Sequence, residues 1–225
     1  MKILSSSGPV ALGLAAAVFA SVLLLEANAA PAESRMEQSR MLLSPAADFA
    51  NIANTRARSI ALFQEAGKVI TSPRCLNCHP ATERPLQGDD MHPHEPPVKR
   101  GAGGMGMPGM RCLTCHGTAN FDPGRVPGNP RWLLAPPEMA WVGKSLKQIC
   151  VQIKDPHLNG GKSMKDLIEH MAHDQLVGWG WNPGAGRTPA PGTQEEFGKL
   201  IQAWADTGAQ CPGDTSERGK GKVKR

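Results

Sequence analysis

The sequence predicts an all-α fold in which short helices are separated by long loops. Three segments carry N-terminal capping signals followed by apolar residues at helical spacing, and no segment alternates as a half-buried strand would. The chain also contains 25 glycines and 20 prolines among 225 residues, but only 4% aromatic residues and no tyrosine. This composition favours many turns and leaves little side-chain bulk for a hydrophobic core.

The N-terminus has the layout of a secretory signal peptide over residues 1–29. It combines a positive start, an apolar run over residues 10–25 and the small-residue cleavage site Ala-Asn-Ala at 27–29. We expect export to the periplasm and removal of this segment. A retained membrane anchor is the alternative, because the apolar run is nearly long enough to span a bilayer.

Residues 30–43 read as a disordered linker, and a helix is predicted to follow them. Ser44 and Pro45 suit the N-cap and first helical position, and apolar residues then recur at helical spacing up to Gly67. Residues 80–109 are rich in proline and glycine, so no regular element of any length is expected there.

Three further helices are predicted in the C-terminal half. Their capping pairs are Ser145 with Gln148, Ser163 with Asp166, and Thr193 with Glu196. The last of these helices should end at Gly208, a residue type typical of helix C-termini.

Two near-identical hexads carry the chemistry, RCLNCH at residues 74–79 and RCLTCH at residues 111–116. C-x-x-C-H is the attachment signature of c-type haem. The two thiols of each motif bond to the porphyrin, and the adjoining histidine becomes the proximal iron ligand. We therefore expect two covalently bound haem c groups, and a cytochrome c-like fold whose loops wrap around them over residues 44–213.

The predicted residues of these sites form two sets of three. The cofactor-binding cysteines and proximal histidines are Cys75, Cys78 and His79 in the first motif, and Cys112, Cys115 and His116 in the second. A zinc site built from all four cysteines is the competing interpretation. Zinc sites usually separate their cysteine pairs by about 15–20 residues and need no histidine after each pair, so the sequence favours haem.

The sixth ligand of each iron decides whether the group carries electrons or binds small molecules. His94 and His170 are the strongest candidates, followed by His92, and His157 and His173 rank lower. Methionines crowd the segment between the motifs and could supply a ligand instead. A Cu(I) site built from these thioethers with His92 and His94 is a further alternative, since soft ligands select that ion.

Cys150 and Cys211 remain after the two motifs take four of the six cysteines. Export exposes cysteines to oxidising conditions. We therefore predict a Cys150–Cys211 disulfide that joins the first of the three C-terminal helices to the end of the third.

Three sequence runs carry a resemblance to a known family. They are PLQGDDMHPH at residues 85–94, GMR at 109–111 and LVGWGWNPG at 176–184. With them, the region from about residue 68 to residue 211 resembles exported dihaem proteins known as isoquinoline 1-oxidoreductase subunits. The resemblance implies a haem subunit that accepts electrons from a molybdopterin-dependent hydroxylase and passes them to a downstream acceptor.

The charge of the chain fits this expectation. The formal net charge is +5 and the sequence pI about 9.0, but haem propionates would offset part of it, so nucleic-acid binding is not expected. Residues 214–225 read as a disordered basic tail, and no membrane span is expected after signal cleavage. The expected function is electron transfer by a subunit that is not itself an enzyme. The alternative is a haem enzyme, such as a dihaem peroxidase, with one open iron site.

Overall fold

The computed structural model describes residues 42–213 of the chain, and these all belong to one compact unit. The predicted signal peptide, most of the linker and the basic tail lie outside the described residues. Leu43, at the end of the predicted linker, packs into the hydrophobic core with 7% of its surface exposed.

Helices dominate this part of the chain, and the strands are only two residues long. The α-helices are α1 (Thr55–Ile70), α2 (Pro73–Leu76), α3 (Cys112–Cys115), α4 (Leu146–Lys154), α5 (Met164–His173), α6 (Gln175–Gly178) and α7 (Gln194–Asp206). The strands are β1 (Leu86–Gln87), β2 (His92–Pro93), β3 (Gly106–Met107) and β4 (Met110–Arg111). Short 3-10 turns cover Ala46–Phe49, Ala102–Gly104, Asp122–Gly124, Pro137–Met139 and Trp179–Trp181.

The prediction of one helix from Ser44 to Gly67 is wrong. The structure has a 3-10 turn over Ala46–Phe49 and a separate helix α1, which begins at Thr55. Asn54 is extended and its side chain accepts a hydrogen bond from the backbone N–H of Ala57. This N-cap satisfies a free donor at the helix start, so the helix begins there and not at Pro45.

The three predicted capping boxes are confirmed. In α4, α5 and α7 the N-cap hydroxyl accepts from the third helical residue, whose side chain bonds back to the N-cap backbone. Helix α7 ends at Asp206, and Gly208 beyond it has a φ of 95°. The left-handed conformation at this glycine is the predicted terminator.

The irregular stretch between the motifs contains two minimal β-ladders that the sequence pattern did not indicate. β1 pairs with β2, and β3 pairs with β4, both antiparallel. Each hairpin depends on glycine or left-handed turn conformations, including Gly88 at φ 75° and Met91 at φ 54°. Two paired residues are too few to produce an alternating apolar pattern.

The hydrophobic core is better developed than the composition suggested. Helices α1, α5 and α7 pack together, with the Phe63 and Trp204 rings 4.8 Å apart and both side chains fully buried. Only three aromatic residues, Phe63, Phe197 and Trp204, lie on these helices. Aliphatic side chains such as Leu62, Ile70 and Leu200 complete the buried faces, which is why a low aromatic content suffices. The core therefore does not depend on a cofactor alone.

The predicted Cys150–Cys211 disulfide is confirmed. It joins α4 to the segment after α7, with the two Cα atoms 5.6 Å apart. The bond closes a sequence separation of 61 residues, which restricts the unfolded chain. No helix within residues 42–213 is both long and apolar enough to cross a membrane.

Candidate haem-binding sites

The first motif lies directly after α1, at the edge of the core. Ser72 and Pro73 start the short helix α2, which contains Cys75, and the backbone N–H of His79 bonds to the Cys75 carbonyl at 3.1 Å. Burial raises the pKa of Cys75 to about 12 and that of Cys78 to about 11. Both thiols are therefore neutral in this environment.

His79 is held on two sides. Its Nδ1 lies 2.7 Å from the carbonyl oxygen of Met139, and its ring stacks on Trp141 with centroids 3.6 Å apart and planes 6° from parallel. A carbonyl can only accept, so Nδ1 carries the proton and Nε2 keeps its lone pair. Burial lowers the pKa of His79 to about 4, which keeps the ring neutral.

A cavity of about 880 Å³ opens beside this motif. Its lining includes both cysteines and His79 of the first motif, and His170, Leu176 and Trp179 from the C-terminal half. Its volume lies within the range of about 300–1,000 Å³ typical of small-molecule and cofactor sites. The cavity thus brings residues that are nearly 100 positions apart in sequence to one space beside the cysteines.

Two buried donors in the cavity lining have no hydrogen-bond partner among the described residues. They are Nε of Arg74 and Nε1 of Trp141. Arg74 is otherwise fixed, because its Nη2 bonds to Asp89 at 2.5 Å and to the Gly88 carbonyl at 2.9 Å. Unsatisfied buried donors are costly, so these two atoms mark where an acceptor would be stabilised.

His170 is oriented by a carboxylate. It lies on α5, and its Nδ1 is 3.5 Å from Asp174 Oδ2, one helical turn further on. Asp174 is itself fixed, since it accepts hydrogen bonds from the backbone of α6. Burial lowers the pKa of His170, which favours a neutral ring.

The histidine of the second motif is held in the same way as His79, but by different partners. Nδ1 of His116 donates to the carbonyl oxygen of Pro127 at 2.7 Å, and the ring stacks on Trp132 with centroids 4.6 Å apart. Burial again lowers the pKa of the imidazole. Nε2 of His116 is left free in the same way as Nε2 of His79.

His94 faces His116. The ring centroids are 5.9 Å apart with an interplanar angle of 62°, and Nδ1 of His94 donates to the Pro96 carbonyl at 2.9 Å. Metal–imidazole bonds are about 2 Å long, so rings at this separation can both reach one ion. The β1–β2 hairpin, which ends just before His94, brings this ring to the second motif although it follows the first in sequence.

His92 is engaged elsewhere. Its Nδ1 is 2.6 Å from Asp90 and its Nε2 is 2.8 Å from the Gln87 side chain, so protein partners occupy both ring nitrogens. His157 and His173 are exposed, although His173 also borders the cavity. The geometry favours His94 and His170 over these three as axial ligands.

The second motif is far more exposed than the first. Cys115 is exposed, and so are several apolar side chains around it. These are Met105, Met107, Met110, Leu113 and Phe121, which have 44–61% of their surface accessible. Within residues 42–213, no group of three or more His, Cys, Asp or Glu is arranged to hold a metal ion.

Two of the three runs that carry the resemblance make contacts with the motif regions. The Gly88–Asp89 turn binds Arg74 of the first hexad, and Asp89 also accepts from the backbone and hydroxyl of Thr188. In the third run, Trp179 Nε1 donates to Asn120, just after the second motif. These runs therefore tie the two motifs to the C-terminal half.

Several site residues escaped the sequence analysis. The sequence patterns do not single out Trp132 or Trp141, but each stacks on a motif histidine. They also do not indicate Asp174 as a partner of His170. The i,i+4 spacing of His170 and Asp174 was the one available signal, whereas nothing local links Trp141 to His79.

Comparisons with protein-family models, curated proteins and solved structures found no significant match. The resemblance remains an expectation carried by the three runs and the two motifs.

Proposed function

We propose that this chain is an exported electron-transfer protein that carries two covalent haem c groups. Cys75 and Cys78 bind the first, and Cys112 and Cys115 bind the second. One observation carries the proposal: each motif histidine donates Nδ1 to a backbone carbonyl at 2.7 Å and stacks on a tryptophan. This arrangement fixes the tautomer and leaves Nε2 as the ligand atom, as metal-binding histidines require.

The residues around the first motif fit a haem in three respects. The cavity has the volume and mostly apolar lining of a cofactor site. The cysteines lie in its wall, and the unpartnered donors Arg74 Nε and Trp141 Nε1 match the carboxylates of haem propionates. Haem supplies an iron that changes between the ferrous and ferric states.

The chain also provides a second histidine for each iron. We assign His170 to the first haem, because it borders the same cavity as His79, and His94 to the second, because it faces His116 at 5.9 Å. Two histidines per iron make a closed site suited to electron transfer, whereas a peroxidase needs an open position. The His94–His116 ring pair and the place of His170 in the lining of the first cavity therefore support the relay over the enzyme alternative.

The resemblance suggests the kind of redox partner, and the exposure of the second motif suggests where a partner would bind. The resemblance implies a molybdopterin-dependent hydroxylase as the electron donor and a further protein as the acceptor. The second motif, with its exposed Cys115, offers the more accessible haem edge for contact with a partner. The first haem would be enclosed by the C-terminal helices.

Mass spectrometry of the protein produced together with a haem-attachment system tests the proposal. The mature chain should exceed its polypeptide mass by two haem groups, and Cys75→Ala or Cys112→Ala should each disrupt the attachment of one group. Cys150→Ser is the matched control, because it removes a disulfide cysteine and should leave two haems. A wild-type mass equal to that of the polypeptide alone would refute the proposal.

A further inference from the structure

The two motifs are connected by a two-residue segment, Leu134 and Ala135, which we call the strap. The backbone N–H of Ala135 bonds to the Cys78 carbonyl at 3.2 Å, and that of Leu134 bonds to the Gly104 carbonyl at 2.9 Å. The residue after Gly104, Met105, accepts a hydrogen bond from the backbone N–H of Cys112 at 3.0 Å. Three backbone bonds thus link one motif to the other.

The Cys112 thiol belongs to the same connection. The Cys112 sulfur is 3.7 Å from the Gly104 carbonyl oxygen. The backbone N–H of Leu134 donates to that same carbonyl. A haem bonded to Cys112 would thus be held at the strap, which also contacts the Cys78 carbonyl.

We propose that the strap sets the separation of the two haems, and that Gly104 is the residue that permits this close approach. The inference rests on the proposed function. Gly104 is a positioning residue that holds the haem-bearing segments and does not touch the reacting iron.

The requirement for glycine at this position is steric. Gly104 is buried with a φ of 75°, and an added Cβ would lie 2.3 Å from the carbonyl oxygen of Leu134 and 3.1 Å from its nitrogen. Both are backbone atoms, which cannot rotate away as the end of a side chain can. Any side chain at residue 104 must therefore displace the strap.

A buried arginine fixes the strap from the other side. Nη1 of Arg100 donates to the Ala135 carbonyl and Nη2 donates to the Thr82 carbonyl at 3.0 Å. The Arg100 side chain is 5% exposed and lies 3.4 Å from Glu83. The strap is thereby braced to the loop that follows the first motif.

The process that the strap supports is a one-electron exchange. Two haems held at the two motifs would exchange one electron, the ferrous iron of one becoming ferric as the ferric iron of the other becomes ferrous, with no bond made or broken. Closed coordination means that no ligand or proton must move. The fixed inter-haem distance is then the quantity on which the rate depends.

Gly104→Ala, compared with Gly103→Ala in the dihaem protein, tests the inference. Both glycines have positive φ, 63° for Gly103 and 75° for Gly104, so backbone strain is matched. The Cβ of an alanine at 103 would meet only the flexible end of Met105, at 3.3 Å. Gly104→Ala should weaken the magnetic interaction between the ferric irons in electron paramagnetic resonance and slow electron redistribution after flash reduction.

Haem content and low-spin absorption should remain those of the wild type in both variants, and Gly103→Ala should keep the wild-type interaction. Equal effects of the two substitutions, or none from Gly104→Ala, would overturn the role of the strap.

If Gly104→Ala does not fold, Arg100→Lys provides the second test. Lysine cannot bridge both carbonyls, so a smaller change in the same direction is expected, and an unchanged interaction would overturn the proposal. A wild-type protein without two haems would instead refute the proposed function.

Discussion

The two motif regions are almost identical in sequence and very different in surroundings. Arg74 of the first hexad is 4% exposed, buried against Asp89 and the Gly88 carbonyl, whereas Arg111 of the second hexad is exposed on a hairpin. The first motif continues a core helix and faces a cavity walled by α5 and α6. The second lies on the short helix α3 directly after the β3–β4 hairpin and is bordered by exposed methionines.

This difference shows that a C-x-x-C-H hexad does not determine its own environment. Both histidines receive the same support, a carbonyl on Nδ1 and a stacked tryptophan. Burial, however, depends on which distant elements pack over each motif. We therefore expect an enclosed haem and an accessible haem within one small protein.

Removal of the histidines that we propose as axial ligands should produce the largest effect. His170→Ala should convert only the first haem to high spin, and His94→Ala only the second, because each iron loses one nitrogen ligand. Absorption and electron paramagnetic resonance spectra would each report one altered haem of two. His92→Ala is the control and should leave both haems low spin. An unchanged spectrum of His170→Ala would assign the sixth ligand of the first haem to another residue.

Loss of the disulfide should destabilise the region around the first motif more than the region around the second. Replacing Cys150 and Cys211 with alanine should lower the free energy of unfolding by about 4 kcal/mol, since the bond closes a loop of 61 residues. Hydrogen exchange should accelerate most in α1, α4 and α7, which form the core beside the first motif. A larger loss of protection at residues 101–128 than in these helices would contradict the contrast between the regions.

Arg74 and Arg111 occupy the same position in the two hexads, and their replacement should have the smallest effect. Arg74→Met should cost about 2 kcal/mol, because it removes charged hydrogen bonds to Asp89 and to the Gly88 carbonyl. Arg111→Met should change stability by less than about 0.5 kcal/mol, as expected for an exposed site. Urea unfolding of the holoprotein measures both. Equal costs would mean that the two hexads have similar surroundings in solution.

Local patterns predicted much of the helical structure. The capping boxes of α4, α5 and α7 were readable because each involves residues three positions apart. The start of α1 was missed because Asn54 interrupts an apolar pattern that continues on both sides of it. The β1–β2 and β3–β4 ladders were missed because two-residue strands leave no alternation to detect.

The sequence by itself determined the two C-x-x-C-H motifs, the pool of histidines that could complete them and, by elimination, the Cys150–Cys211 pair. These follow from residue identity and short spacing, which folding does not alter. Only the tertiary structure decided that His94 reaches the second motif, that His170 borders the first, and that Arg74 is buried while Arg111 is exposed. Those outcomes depend on contacts between residues up to about 100 positions apart, which no local pattern encodes.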